Sequence, residues 1–244
     1  MECPKCGHPR EAHQARCNGC DLVFAKYESY LRRRAELERR RAKAGRGPAE
    51  RLRELLAGLL QPADSTARYW WPHAVLWALF VAWGWSYMLE DLHDLGRDSG
   101  FLHAVNLPFH EAGHVVFGVF GELVGSLGGT LGQLLIPVVC AIALLRTNDD
   151  TFGASLCLWW FGQNFLDIAP YMADARAGEL PLLGGNRGKS SPYGFHDWEF
   201  ILGETGLLAW DRVLATITLN GGRLIMLAAM AWGAWLLWRA RTRA

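Results

Sequence analysis

Between Tyr69 and Trp238 the chain is a succession of apolar blocks separated by short polar loops. About 20 apolar residues in a row is the length that crosses a bilayer as a helix. Backbone polar groups in lipid must be satisfied within the segment, so such blocks are expected to be helices. The first block, Tyr69–Leu89, carries Trp and Tyr at both ends, as interfacial residues do. The second runs from Phe101 to Leu145 and is interrupted by GSLGGTLG at Gly125–Gly132; the third spans Phe152–Tyr171; the last covers Val213–Trp238 and ends in RARTRA. Twelve Trp in 244 residues fit the same setting. Basic residues before the first block and after the last place both termini in the cytoplasm, which requires an even number of crossings. Simple counting gives five, so one segment is expected to be re-entrant, with the Gly-rich run as the break.

The expected fold class is therefore an α-helical integral membrane protein of about four to six membrane segments, with a small N-terminal zinc ribbon. The ribbon is read from CPKCGHPREAHQARCNGC: Cys3, Cys6, Cys17 and Cys20 form two Cys-x-x-Cys pairs able to present four thiolates tetrahedrally to a structural zinc. Disulfides are the alternative, but no apolar secretory leader precedes these cysteines, and the segment is too short for a core of its own. His8 and His13 in the loop are expected to be solvated. From Lys26 to Gln61 Glu and Arg recur at helical spacing, broken at Gly45–Pro48, and Arg51–Leu60 is amphipathic enough to lie on a membrane surface. The expected division is residues 1–25 zinc ribbon, 26–68 charged amphipathic helical linker, and 69–244 polytopic membrane domain. A formal net charge of +1 and interleaved Glu make nucleic acid an unlikely partner.

Chemistry concentrates in HEAGH, His110 to His114, flanked by NLPF and VVFGVFG. Residues four apart share a helix face, so both imidazoles can reach one zinc, with Glu111 beside them to take a proton from water. Pro108 suits a first helical turn. An ionised Glu in apolar surroundings is costly unless it has a task. A catalytic zinc usually takes three protein ligands. The leading third candidate is Asp167, a carboxylate inside the third apolar block; His196 and Asp174 are the alternatives, with Asp197 read as a helix cap. Gln163, Asn164, Asp167, Tyr171 and Asp174 follow helical steps and form a polar stripe expected to face inward, where Gln163 and Asn164 suit interhelical hydrogen bonds. His93 and His103 are read as loop histidines, and Cys140 and Cys157 as packing residues.

FHEAGH in an apolar helix, followed by Asp167 in a later block, resembles the site-2 protease family of membrane-embedded zinc metalloproteases. The resemblance covers about Phe101 to Tyr171 and implies His110, His114 and Asp167 as ligands, Glu111 as the base, and peptide-bond cleavage in or near the bilayer. The family's later Asn…Pro…Leu-Asp-Gly motif is matched only by Asn164 and Leu166-Asp167. The stretch CDLVFAKYESY is similar to the end of small bacterial zinc-ribbon domains that precede membrane segments. That likeness suggests a cytoplasmic module, which with the basic run before the first block gives a bacterial cytoplasmic membrane and a cytoplasmic N-terminus. The ribbon and charged helix are expected to recruit a protein partner, and the protease resemblance implies a membrane-protein substrate. The alternative is a non-enzymatic zinc-ribbon membrane adaptor or a degenerate protease with a metal-binding site. A di-iron desaturase is disfavoured because only one His pair has metal-binding spacing.

Overall fold

The structure is a computed structural model that describes residues 2–9, 11, 14–44, 47–97, 100–183, 185–190 and 196–243, without the side chains of 39–44, 51 and 97. The chain divides into two compact units, Met1–Gly58 and Leu59–Ala244.

In the first unit the four cysteines come together. Cys3 and Cys20 Sγ lie 3.7 Å apart, Cys6 and Cys17 Sγ 3.5 Å. Disulfide sulfurs would sit at about 2.05 Å, whereas two thiolates on one tetrahedral zinc are about 3.8 Å apart. The four can hold a metal ion. Each Cys-x-x-Cys turn closes the same way: Gly7 N–H donates to Cys3 O and Asp21 N–H to Cys17 O, both at 2.9 Å. Gly7 and Asp21 take left-handed backbone (φ 70° and 54°), which reverses the chain into the isolated bridges Glu2↔Pro9 and Arg16↔Val23. Phe24 packs beneath Cys3 and Cys17. His8 is exposed; His13 lies outside the described residues, as do Gly45 and Arg46 of the expected break. Two charged helices follow, α1 (Phe24–Ala44) and α2 (Pro48–Leu59). Pro48 sits at the first position of α2, where its missing N–H costs nothing. Leu52, Leu55 and Leu56 of α2 form an exposed apolar stripe at helical spacing.

The second unit takes in Leu59–Arg68, which the sequence assigns to the linker. Trp232 Nε1–H donates to Leu59 O (2.8 Å), Thr151 Oγ1–H donates to Gln61 O (2.7 Å), and Thr66 is fully buried. Its helices are α3 (Asp64–Arg68), α4 (Trp70–Leu89), α5 (Leu92–Arg97), α6 (Phe101–Phe117), α7 (Glu122–Asn148), α8 (Thr151–Ala173), α9 (Asp197–Glu204) and α10 (Asp211–Arg241). Two helical stretches, Glu122–Asn148 and Leu208–Arg241, are long and apolar enough to cross a membrane. Helix α8 is central, packed against α4, α5, α7, α9 and α10. Leu166 and Ala169 of α8 and Met226 of α10 are fully buried in one core cluster. At its far end Arg176 clamps the buried Asp211 at the start of α10 with two 2.7 Å hydrogen bonds.

The long second block differs from expectation. It breaks at Gly118–Gly121, where a 3₁₀ turn ends in Gly121 at φ 105°, and α7 runs unbroken through Gly125–Gly132. Those glycines serve contact instead. A Cβ on Gly113 would collide with Gly128 O, and one on Gly132 with Phe109 O, so α6 and α7 meet backbone to backbone. Helix α6 also starts at Phe101, ahead of the expected start, so Pro108 lies inside it and leaves Ala104 O without its usual helical partner.

Candidate metal centre

The close crossing of α6 and α7 builds the site. His110 and His114, one turn apart on α6, lie over Gly129 of α7; a Cβ there would sit 2.5 Å from His110 Nε2 and 2.6 Å from His114 Nε2. Only a glycine lets α7 pass beneath both rings. Each ring is held by its far nitrogen. His114 Nδ1–H donates to Gly125 O at 2.8 Å, and His110 Nδ1–H donates to Gln133 Oε1 at 2.9 Å. With Nδ1 carrying a proton, the neutral form of each ring turns an Nε2 lone pair inward.

Both Nε2 atoms face one oxygen. Asp197 Oδ2, at the first residue of α9, lies 3.2 Å from His110 Nε2 and 3.2 Å from His114 Nε2. Two arrangements satisfy this spacing: an imidazole proton donated to the carboxylate oxygen, or a metal ion held among the three atoms. Two ligand atoms at zinc bond lengths on a tetrahedron are about 3.3 Å apart, which the observed spacing matches. These three residues can hold a metal ion. Three protein ligands on a tetrahedral ion would leave one position open. Burial works against ionisation of Asp197, but where the imidazoles carry the protons their hydrogen bonds to it outweigh that and hold the carboxyl at about 2. Glu111 points into the same cavity and makes no hydrogen bond or ion pair among the described residues.

The carboxylate that meets both histidines is thus Asp197 and not Asp167. Asp167 is spent elsewhere: Oδ1 accepts from His103 Nδ1–H at 2.8 Å and Oδ2 from Asn106 Nδ2–H at 3.0 Å. Asn106 also donates to Gln163 and accepts from Trp160 Nε1–H. Gln163 therefore does form an interhelical hydrogen bond, and the polar stripe of α8 faces inward. His103 is a helical residue of α6, not a loop one. Asp174 accepts from the backbone N–H groups of Glu179 and Leu180 at 3.0 and 2.9 Å, closing the turn after α8, and is no ligand. His196 is 3% exposed with both ring nitrogens unpartnered among the described residues; it stacks on Tyr171 beside the metal triad rather than joining it. Burial pushes it below the usual imidazole range. Asp197 is the first residue of α9, whose cap position is His196, and its carboxylate turns to the histidines.

One cavity of about 480 Å³ joins these groups, with His103 and Asp167 at its wall and Pro181, Leu182 and Leu183 from the loop after α8 lining it. Its lining holds three carboxylates and no Lys or Arg. Comparison with family models, with curated proteins and with solved structures found no match to this chain.

Proposed function

We propose that the chain is a membrane-embedded zinc metalloprotease in which His110, His114 and Asp197 hold the metal and Glu111 is the catalytic base. The convergence of two Nε2 atoms on a single carboxylate oxygen carries this reading. Zinc bound there would supply a Lewis acid for a carbonyl and lower the pKa of water enough for attack near neutral pH. Glu111, unpaired and in the cavity, takes the proton of the attacking water and passes it to the leaving amine. Helices α6 and α7 keep the ligands rigid, since backbone contact leaves them no room to slide.

A bilayer setting is supported by the outer surface of the second unit. Leu79, Leu89, Val115, Val119, Phe120, Val139, Ile217 and Leu224 are all exposed, whereas Asn106, Gln163 and Asn164 are buried. Apolar outside and polar inside is the arrangement expected of helices packed in lipid. The substrate is then a membrane-protein segment reaching the cavity from the bilayer or its edge. The paired Cys-x-x-Cys knuckles hold a structural zinc, and that unit sits in the cytoplasm, where it recruits a protein partner. The stripe at Leu52, Leu55 and Leu56 rests on the membrane surface.

The test is co-expression with a membrane-spanning reporter. Wild-type protein cleaves it; Glu111→Gln keeps its metal and loses cleavage by about 100-fold or more. Equal cleavage by the Glu111→Gln protein would overturn the assignment.

A further inference from the structure

The metal centre leaves a second polar group in the cavity unexplained. His103 lies seven residues before His110 on α6, which is two helical turns, about 10 Å along the axis and on the same face. Its Nδ1–H is held by Asp167, whose second oxygen is held by Asn106, which is in turn fixed by Trp160 and Gln163. Its ring also lies parallel to Tyr171, centroids 5.9 Å apart and planes 10° apart. Every atom around this imidazole is positioned, yet its Nε2 has no hydrogen-bond partner among the described residues and the ring lines the cavity. In the neutral ring, with the proton on Nδ1, Nε2 is an acceptor. The network fixes the ring, which in its neutral form presents one acceptor to whatever fills the cavity.

We infer that His103, positioned by Asp167, is a substrate subsite that accepts a hydrogen bond from a main-chain N–H of an extended peptide, about three residues from the hydrolysed bond. The spacing sets the register: an extended chain advances about 3.3 Å per residue, so three residues cover two turns of α6. Leu107 lies between the two polar ends on the same wall and gives the intervening residue an apolar contact. The substrate class is therefore an unwound peptide segment, bound as a strand alongside α6, and not an intact helix. The inference rests on the metalloprotease reading.

Peptide hydroxamates test it, because the hydroxamate binds a zinc with an open position without being cleaved. Two series of one to four residues, one grown from the carbonyl side and one from the amine side, are titrated into full-length zinc-loaded protein. In one series the residue reaching His103 tightens binding about fivefold, the worth of one neutral hydrogen bond. N-methylation of that residue's amide removes the gain on the wild-type protein. His103→Phe, which keeps the stack on Tyr171, also removes it. A gain insensitive to N-methylation, or no gain at any length, overturns the subsite and leaves the metal centre standing. Failure of the shortest hydroxamate to bind wild-type protein overturns the metal reading, and the subsite with it.

Discussion

Gly129→Ala adds one methyl group at the point where α7 passes beneath both histidines. The new carbon would lie 2.5 Å from His110 Nε2 and 2.6 Å from His114 Nε2, against a normal separation of roughly 3.5 Å. Something must move by about 1 Å. Helix α7 cannot retreat without opening the Gly113–Gly128 and Gly132–Phe109 backbone contacts, so the rings are displaced. Ligand positions in a metal site are held to about 0.2 Å. Loss of a group that merely orients a ligand costs 10- to 100-fold in affinity. Displacing two ligands should cost at least about 100-fold, or roughly 2.8 kcal/mol at 1.4 kcal/mol per decade. The change should not weaken α7 itself, since Ala is the better helix former by about 1 kcal/mol. The assay is metal content of the full-length protein against a competing chelator. Wild type retains two equivalents and Gly129→Ala one, the ribbon's. Gly221→Ala, which has open space around it, retains two. Unchanged affinity in Gly129→Ala would refute the ligand geometry.

Other outcomes follow from the same structure. Arg176→Met strands the buried carboxylate of Asp211 and should destabilise the second unit by less than the roughly 3–5 kcal/mol of a fully buried pair, because Arg176 is half exposed; the double change with Asp211→Leu should recover most of the lost thermal midpoint, and an unmoved midpoint in the single variant would show the clamp to be idle. Cys17→Ser removes a buried ligand, so hydrogen exchange should speed up across the knuckles as one metal equivalent is lost, since metal binding supplies most of such a domain's folding energy. Protection that survives the loss would mean the knuckles fold without metal.

The HEAGH half of the site is legible in the sequence because its logic is local: two histidines one turn apart need only a helix. The third ligand is 83 residues beyond His114, on α9, and no periodicity links them. A carboxylate in an apolar block is a sound reason to single out Asp167, since such a charge needs a partner. The partners, His103 and Asn106, sit on the same helix as the metal histidines, seven and four residues before His110. Asp197 stands in a polar stretch where a carboxylate costs nothing, so burial gives no warning; its neighbour His196, a ligand candidate by sequence, is one residue from the answer. The run GSLGGTLG reads equally as a broken helix or as a packing seam. Only the facing glycine on α6, Gly113, decides for the seam. The boundary near residue 59 is hidden because Leu59–Arg68 joins the second unit through backbone carbonyls, which any side chain would offer.

The metal centre stands or falls on which carboxylate completes it. Metal content should be measured under chelator competition for full-length His110→Ala, Asp197→Ala and Asp167→Ala. The structure predicts one equivalent for the first two and two equivalents for Asp167→Ala. One equivalent for Asp167→Ala with two for Asp197→Ala would contradict it.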